Sequence, residues 1–113
     1  MRLWVARAGD LPDRTARKFL FQRGEHTESG IVARHDGELV AYANRCQHRP
    51  LPLDWDDGEF YDRDREHFVC RTHGAVYEPA TGLCVLGPCA GDALRRFEVS
   101  QDGDDVYVTL PDS

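Results

Sequence analysis

The sequence predicts an all-β domain, a sandwich or a small barrel, on three observations. Its apolar runs are short and bounded by turn residues rather than spaced at helical intervals. Asp36-Gly37-Glu38 separates two strand-like runs, and Asp-Gly in that setting is a strong hairpin signal. Helical evidence is thin. Residues 13–20 begin with a capping-type Asp13, but their only large apolar residues, Phe19 and Leu20, stand at the end, which predicts a loop or one short turn.

The elements follow in order. Residues 3–6 read as a first strand and residues 19–22 as a second. Residues 30–35 and 39–43 form the two arms of the Asp36-Gly37 hairpin. Residues 67–70 and 75–78 flank a tight turn at Thr72-His73-Gly74, where glycine turns the chain at low steric cost. Thr81-Gly82 punctuates the chain before Leu83-Cys84-Val85. Residues 94–99 and 106–110 flank a turn at residues 101–104 and pair as an antiparallel hairpin.

The 113 residues suit one domain, 1–113, with one modest core, which excludes a large multidomain enzyme. Twenty acids against 14 bases leave a formal charge of −6 and argue against nucleic acid as a partner. No run is long enough to span a bilayer, and the first residues carry no stretch of signal-peptide length, so no membrane association and a cytoplasmic location are expected. In a reducing compartment four cysteines read as metal ligands or reactive groups rather than as a disulfide scaffold. Residues 54–66 hold seven acids against two bases, Arg63 and Arg65. A solvated loop is the simpler reading of that segment, and a docking surface for a basic partner the sharper one.

Two clusters carry the chemistry. Cys46-Gln47-His48 and Cys70-Arg71-Thr72-His73 each offer one thiolate and one imidazole, with residues 49–69 between them. Two cysteines and two histidines suit a closed tetrahedral zinc site or a 2Fe–2S cluster with two cysteines on one iron and two histidines on the other. Zinc fingers usually place like ligands together, whereas here each pair is mixed. That order lets each loop give one ligand to each iron.

C-x-H followed by C-x-x-H-G resembles the Rieske iron–sulfur signature. The likeness extends over residues 44–50, over residues 70–77, and over Thr81-Gly82-Leu83-Cys84-Val85-Leu86-Gly87-Pro88, which is similar to the stretch leading into the proline loop above such a cluster. It covers roughly residues 30–110 and, more weakly, residues 3–20. It implies a Rieske-like fold, with a cluster-binding subdomain at about 44–90 inserted in a sandwich or barrel base at about 1–43 and 91–110. It implies a Rieske 2Fe–2S cofactor, with Cys46 and Cys70 on the inner iron and His48 and His73 on the outer one. Pro88 would cap the cluster, Gly74 would turn the second loop, and Leu51 and Leu53 would shield the cluster or pack the first loop. The acidic segment 54–66 looks like an insertion between the loops.

The departures are informative. Respiratory-type Rieske proteins carry one more cysteine in each loop, joined as a disulfide, and the matching positions here are Leu51 and Thr72. That points to the ferredoxin-like or oxygenase-like branch. Ala75 stands where the high-potential branch has a serine that bonds a bridging sulfide. Of the remaining residues, Cys84 and Cys89 read as small buried apolar side chains; a disulfide across residues 85–88, or a place in an all-cysteine site, are the alternatives. His26, His35 and His67 read as surface histidines, and Trp55 as an anchor of its loop or as a partner contact.

The functional expectation is a soluble one-electron carrier, not an enzyme, that takes electrons from a reductase and feeds an oxygenase or reductase. No G-x-G-x-x-G fingerprint and no room for a mononuclear iron domain are present. The alternatives are a small accessory subunit of a larger reductase, similar to the small subunit of assimilatory nitrite reductase, and a zinc-stabilised interaction module using the same four ligands. Tyr77 is expected to donate a hydrogen bond to a cysteine sulfur and so raise the potential, partly offsetting Ala75. A redox titration of Tyr77→Phe should show a downward shift; an unchanged potential removes this role for Tyr77.

Overall fold

The computed structural model describes residues 1–45, 53, 59–70, 74–87 and 90–110. Among them nine strands run in chain order: β1 (Arg2–Arg7), β2 (Thr15–Arg23), β3 (His26–His35), β4 (Glu38–Ala43), β5 (Phe68–Val69), β6 (Val76–Tyr77), β7 (Cys84–Leu86), β8 (Arg96–Asp102) and β9 (Asp105–Thr109). A 3-10 turn at Ala8–Asp10 is the one helical piece among the described residues. The strands form a six-stranded antiparallel sheet, ordered β1-β9-β8-β4-β3-β2, and a three-stranded sheet, β5-β6-β7. The all-β expectation holds.

The run that looks most hydrophobic in the sequence occupies the centre. In β3 and β4, Ile31, Ala33, Val40 and Tyr42 belong to one core, and Val32 and Ala41 to a second. A strand sends successive side chains to opposite faces, so this sheet is covered on both sides here, which explains continuous apolar runs in place of alternation. The second core is completed by Ala6, Leu11, Phe19, Phe97, Val106, Val108 and Leu110, inside the curl of the large sheet. The first is completed by Leu53, Phe60, Phe68, Cys70, Ala75, Tyr77, Cys84 and Leu94 and joins the small sheet to the outer face of β3 and β4. Strand β8 helps the curl by changing partners: Phe97 faces Ala41 of β4, whereas residues from Glu98 onward pair with β9.

The turns follow backbone chemistry. At the β3–β4 hairpin Asp36 and Gly37 have φ of 51° and 82°, the left-handed pair of a type I′ turn that Asp-Gly favours. Gly37 donates its N–H to Asp13 Oδ1 (2.9 Å), and the Arg14 guanidinium bonds Asp36 (2.9 Å), so the entry to β2 is tied to this turn.

Residues 15–18 correct the sequence reading, while the strand expected at 19–22 is found. Residues 15–18 are strand, not loop, and belong to β2, which pairs with β3 from Thr15↔Arg34 to Arg23↔His26. Thr15, Ala16, Arg17 and Lys18 show little alternation because β2 is an edge strand, so its hydrogen bonds to β3 fix it more than its side chains do. The β2–β3 turn at Gly24-Glu25 was also not expected, and β3 begins four residues earlier than its apolar part.

Phe19 lies directly opposite Gly30, and its ring covers the glycine: a Cβ at position 30 would stand 2.2 Å from Phe19 Cζ. Phe19 is buried, so the ring cannot simply swing out. Gly30→Ala should therefore cost about 1–3 kcal/mol, the usual penalty of overpacking. Chemical denaturation checks this, expecting a lower midpoint at unchanged m-value.

Candidate metal centre

The described residues that flank 46–52, 71–73 and 88–89 are joined by hydrogen bonds. Cys70 follows β5 with its side chain wholly buried. Its N–H donates to Ala75 O (2.8 Å), and Gly74 N–H returns to Cys70 O (2.8 Å), so the two flanks of residues 71–73 are tied to each other. Gly74 has a φ of 72°, a left-handed conformation that costs other residues energy, as its place after the histidine suggested. His73 itself, with Cys46, His48, Leu51 and Pro88, lies outside the described residues, as do Cys89 and Trp55.

The first ligand loop is closed by Asn44. This side chain is 5% exposed. Its Nδ2 donates to Ser29 Oγ (3.1 Å), while its Oδ1 accepts the N–H of Leu53 (2.9 Å). Leu53 is fully buried in the core that contains Cys70, which settles its packing role. The third segment begins at Gly87, with φ of 106°. Ala90 N–H donates to Gly87 O (3.2 Å) across residues 88–89. A Cβ on Gly87 would stand 2.8 Å from the Cα of Ala75, so the segment is seated on the backbone just after the second ligand loop.

The scaffold beneath is rigid. Tyr77 is buried in β6, opposite both Phe68 and Cys84. Cys84 is buried too, and its thiol donates to Leu86 O (3.4 Å), in keeping with the small-buried-residue reading. Tyr42 donates its hydroxyl to Pro79 O (2.7 Å) and packs edge-on against Phe68. Burial pushes its pKa up to about 12, so it remains a donor at neutral pH. Strand β7 is paired on its far side by Cys84 N–H to Asp92 O and Gly91 N–H to Cys84 O (2.7 and 3.0 Å).

One histidine departs from the sequence reading. His35 is not on the surface: it is 9% exposed, stacks on Tyr61 and shares a hydrogen bond from Nδ1 to the Tyr61 hydroxyl (3.0 Å). Burial holds the Tyr61 pKa above its ordinary value, so the phenol stays protonated at neutral pH. His35 looked polar in its neighbourhood because Tyr61, its partner, is 26 residues away. His26 is exposed and His67 partly so, beside Asp62 (3.7 Å). In the acidic segment, Phe60 and Tyr61 are buried anchors, and Asp62 accepts the N–H of Glu66 (2.9 Å). Part of that charge therefore serves the turn itself.

Sequence reasoning missed Asn44 and Gly87 as closing residues. Each had a signal: a small amide two residues before Cys46, and a glycine directly before Pro88.

Residues 1–100 match the family model of the Rieske [2Fe-2S] domain, and the chain belongs to that family. Two curated relatives and one of the similar solved structures illustrate the likeness. The 3-phenylpropionate/cinnamic acid dioxygenase ferredoxin subunit of Shigella boydii serotype 4 (strain Sb227) is 30% identical over 77 residues, 68% of each chain. A toluene-4-sulfonate monooxygenase system iron-sulfur subunit of Comamonas testosteroni is 34% identical over 83 residues, 69% of this chain; the chain spans only 22% of that relative's length. The ferredoxin of carbazole 1,9a-dioxygenase from Nocardioides aromaticivorans IC177 shares the fold, with a TM-score of 0.73 at 21% identity over 98% of this chain and 99% of that one.

The family's cofactor is the Rieske 2Fe–2S cluster, and the residues present fit it. A wholly buried thiol, Cys70, stands three residues before a histidine in the sequence, the flanks of residues 71–73 are hydrogen-bonded to each other, and glycines stand where the backbone turns or approaches closely. No helix among the described residues is long and apolar enough to cross a membrane.

Gly87→Ala tests the seating of the third segment. It should lower stability by about 1–3 kcal/mol through backbone strain and contact with Ala75. Thermal unfolding of the holoprotein measures this, together with faster loss of iron to a chelator.

Proposed function

We propose that this chain is a one-electron carrier, a non-catalytic ferredoxin component of an oxygenase system. Cys46 and Cys70 hold the inner iron of its cluster, and His48 and His73 the outer iron. The cluster-binding part comprises about residues 44–90, within a single domain. A 2Fe–2S centre of this type supplies reversible one-electron chemistry. The chain's own residues do the rest. Cys70 is kept from water, hydrogen bonds to Gly74 and Ala75 tie together the flanks of residues 71–73, and the first core joins Leu53 to Cys70.

The observation that carries this reading is that Leu53 and Cys70, one from each ligand-loop base, are buried in the same core. Both loops therefore start from one rigid body, as two pairs of ligands for a single centre require. In this reading the donor is a reductase and the acceptor an oxygenase; the ferredoxin relatives are named as components of dioxygenases. The acidic segment 54–66, with Glu59, Asp64 and Glu66 exposed, favours association with a basic partner face.

Stopped-flow mixing of the dithionite-reduced protein with the terminal oxygenase of an aromatic-ring dioxygenase system tests the role. The expected result is delivery of one electron per chain and loss of this transfer in Cys70→Ser. A chain that takes up no electron, or passes none on, contradicts the reading.

A further inference from the structure

We propose that the Asn44 side chain is a positioning residue for the centre, its amide setting the geometry of the first ligand loop by holding both ends of it. This rests on the reading of Cys46 and His48 as ligands. The loop leaves the large sheet at Asn44 and Arg45 and returns to the core at Leu53. Between those points lies one ligand for each iron, so a shift of the loop moves a thiolate and an imidazole together.

Asn44 is placed to prevent such a shift. Its backbone N–H bonds Ser29 O (3.0 Å) and its Nδ2 bonds Ser29 Oγ, which fix the residue to β3. Its Oδ1 then accepts the Leu53 N–H, nine residues on, in a buried setting. Arg45 N–H turns back to Ala43 O (3.0 Å), so the chain bends sharply as it leaves the clasp. A side-chain amide carries both a donor and an acceptor on a short stem, as the two contacts require. A leucine of similar volume offers neither group and leaves the buried Leu53 N–H without this acceptor. An aspartate keeps the acceptor, and the Ser29 hydroxyl can turn to donate to it.

The test uses the holoprotein and the variants Asn44→Leu, Asn44→Asp and Ser29→Ala. It reads iron release to a chelator, electron paramagnetic resonance of the reduced form, and hydrogen exchange at the Leu53 amide. Asn44→Leu should release iron about 10- to 100-fold faster, the usual effect of removing a group that orients ligands. It should also shift or broaden the signal and deprotect Leu53. Asn44→Asp should restore all three, and Ser29→Ala should change them less than Asn44→Leu does. Wild-type iron release and g values in Asn44→Leu, with Leu53 deprotected, overturn the proposal, because the clasp would then be broken without effect on the centre. Equal losses in Asn44→Leu and Ser29→Ala overturn it too, since they indicate general loosening of the sheet end. If Asn44→Leu loses its strand circular dichroism, Asn44→Asp decides: a protected Leu53 with wild-type g values supports the proposal, and a protected Leu53 with altered g values overturns it. Absence of a histidine-ligated signal in the wild-type protein would instead defeat the ligand reading itself.

Discussion

A loop that offers a thiolate and an imidazole to one centre cannot also run in a hydrogen-bonded ladder, so its ends must be fixed by something else. In this chain hydrogen bonds join the described residues that flank the segments proposed to carry the ligands, and those that flank residues 88–89. Asn44 takes the Leu53 N–H, Cys70 exchanges hydrogen bonds with Gly74 and Ala75, and Gly87 accepts from Ala90. The flanks of the first two segments share one core, in which Leu53, Cys70, Ala75 and Tyr77 are all buried, whereas Gly87 and Ala90 are exposed. Burial of the Leu53 and Cys70 N–H groups obliges them to pair within the chain, which makes those two closures costly to open.

The large sheet has a different task. Its centre, β3 and β4, is buried on both faces, and so transmits the position of one core to the other. Phe19 over Gly30 and Tyr42 against Phe68 show how closely the layers fit. A Cβ on Gly82 would stand 2.7 Å from the Tyr42 ring, so the turn before β7 also rests on this sheet. The His35–Tyr61 pair ties the segment between the ligand loops to the end of β3.

Much of this was legible in the sequence. The Asp36-Gly37 hairpin, the central apolar runs and the closing pair of strands carry local signals, either turn chemistry or periodicity. The two Cys/His pairs carry a chemical one, and Gly74 a conformational one that its φ bears out. Residues 15–18 were not legible as strand, because an edge strand is held by its neighbour's backbone and needs no alternating pattern. The burial of His35 was not legible either, since its partner comes from another part of the chain. Asn44 and Gly87 matter through contacts with Leu53 and Ala75, and no local pattern reports such pairings.

Membership of the Rieske [2Fe-2S] domain family and likeness to dioxygenase ferredoxins agree with a chain whose described framework anchors ligand loops. The ligand set is the central claim. Electron paramagnetic resonance of the anaerobically purified, dithionite-reduced protein tests it most directly. A rhombic signal with the low average g value of a histidine-ligated 2Fe–2S centre is the expected result. A signal typical of an all-cysteine cluster, or no signal with zinc found by elemental analysis, would contradict the assignment of His48 and His73 to the outer iron.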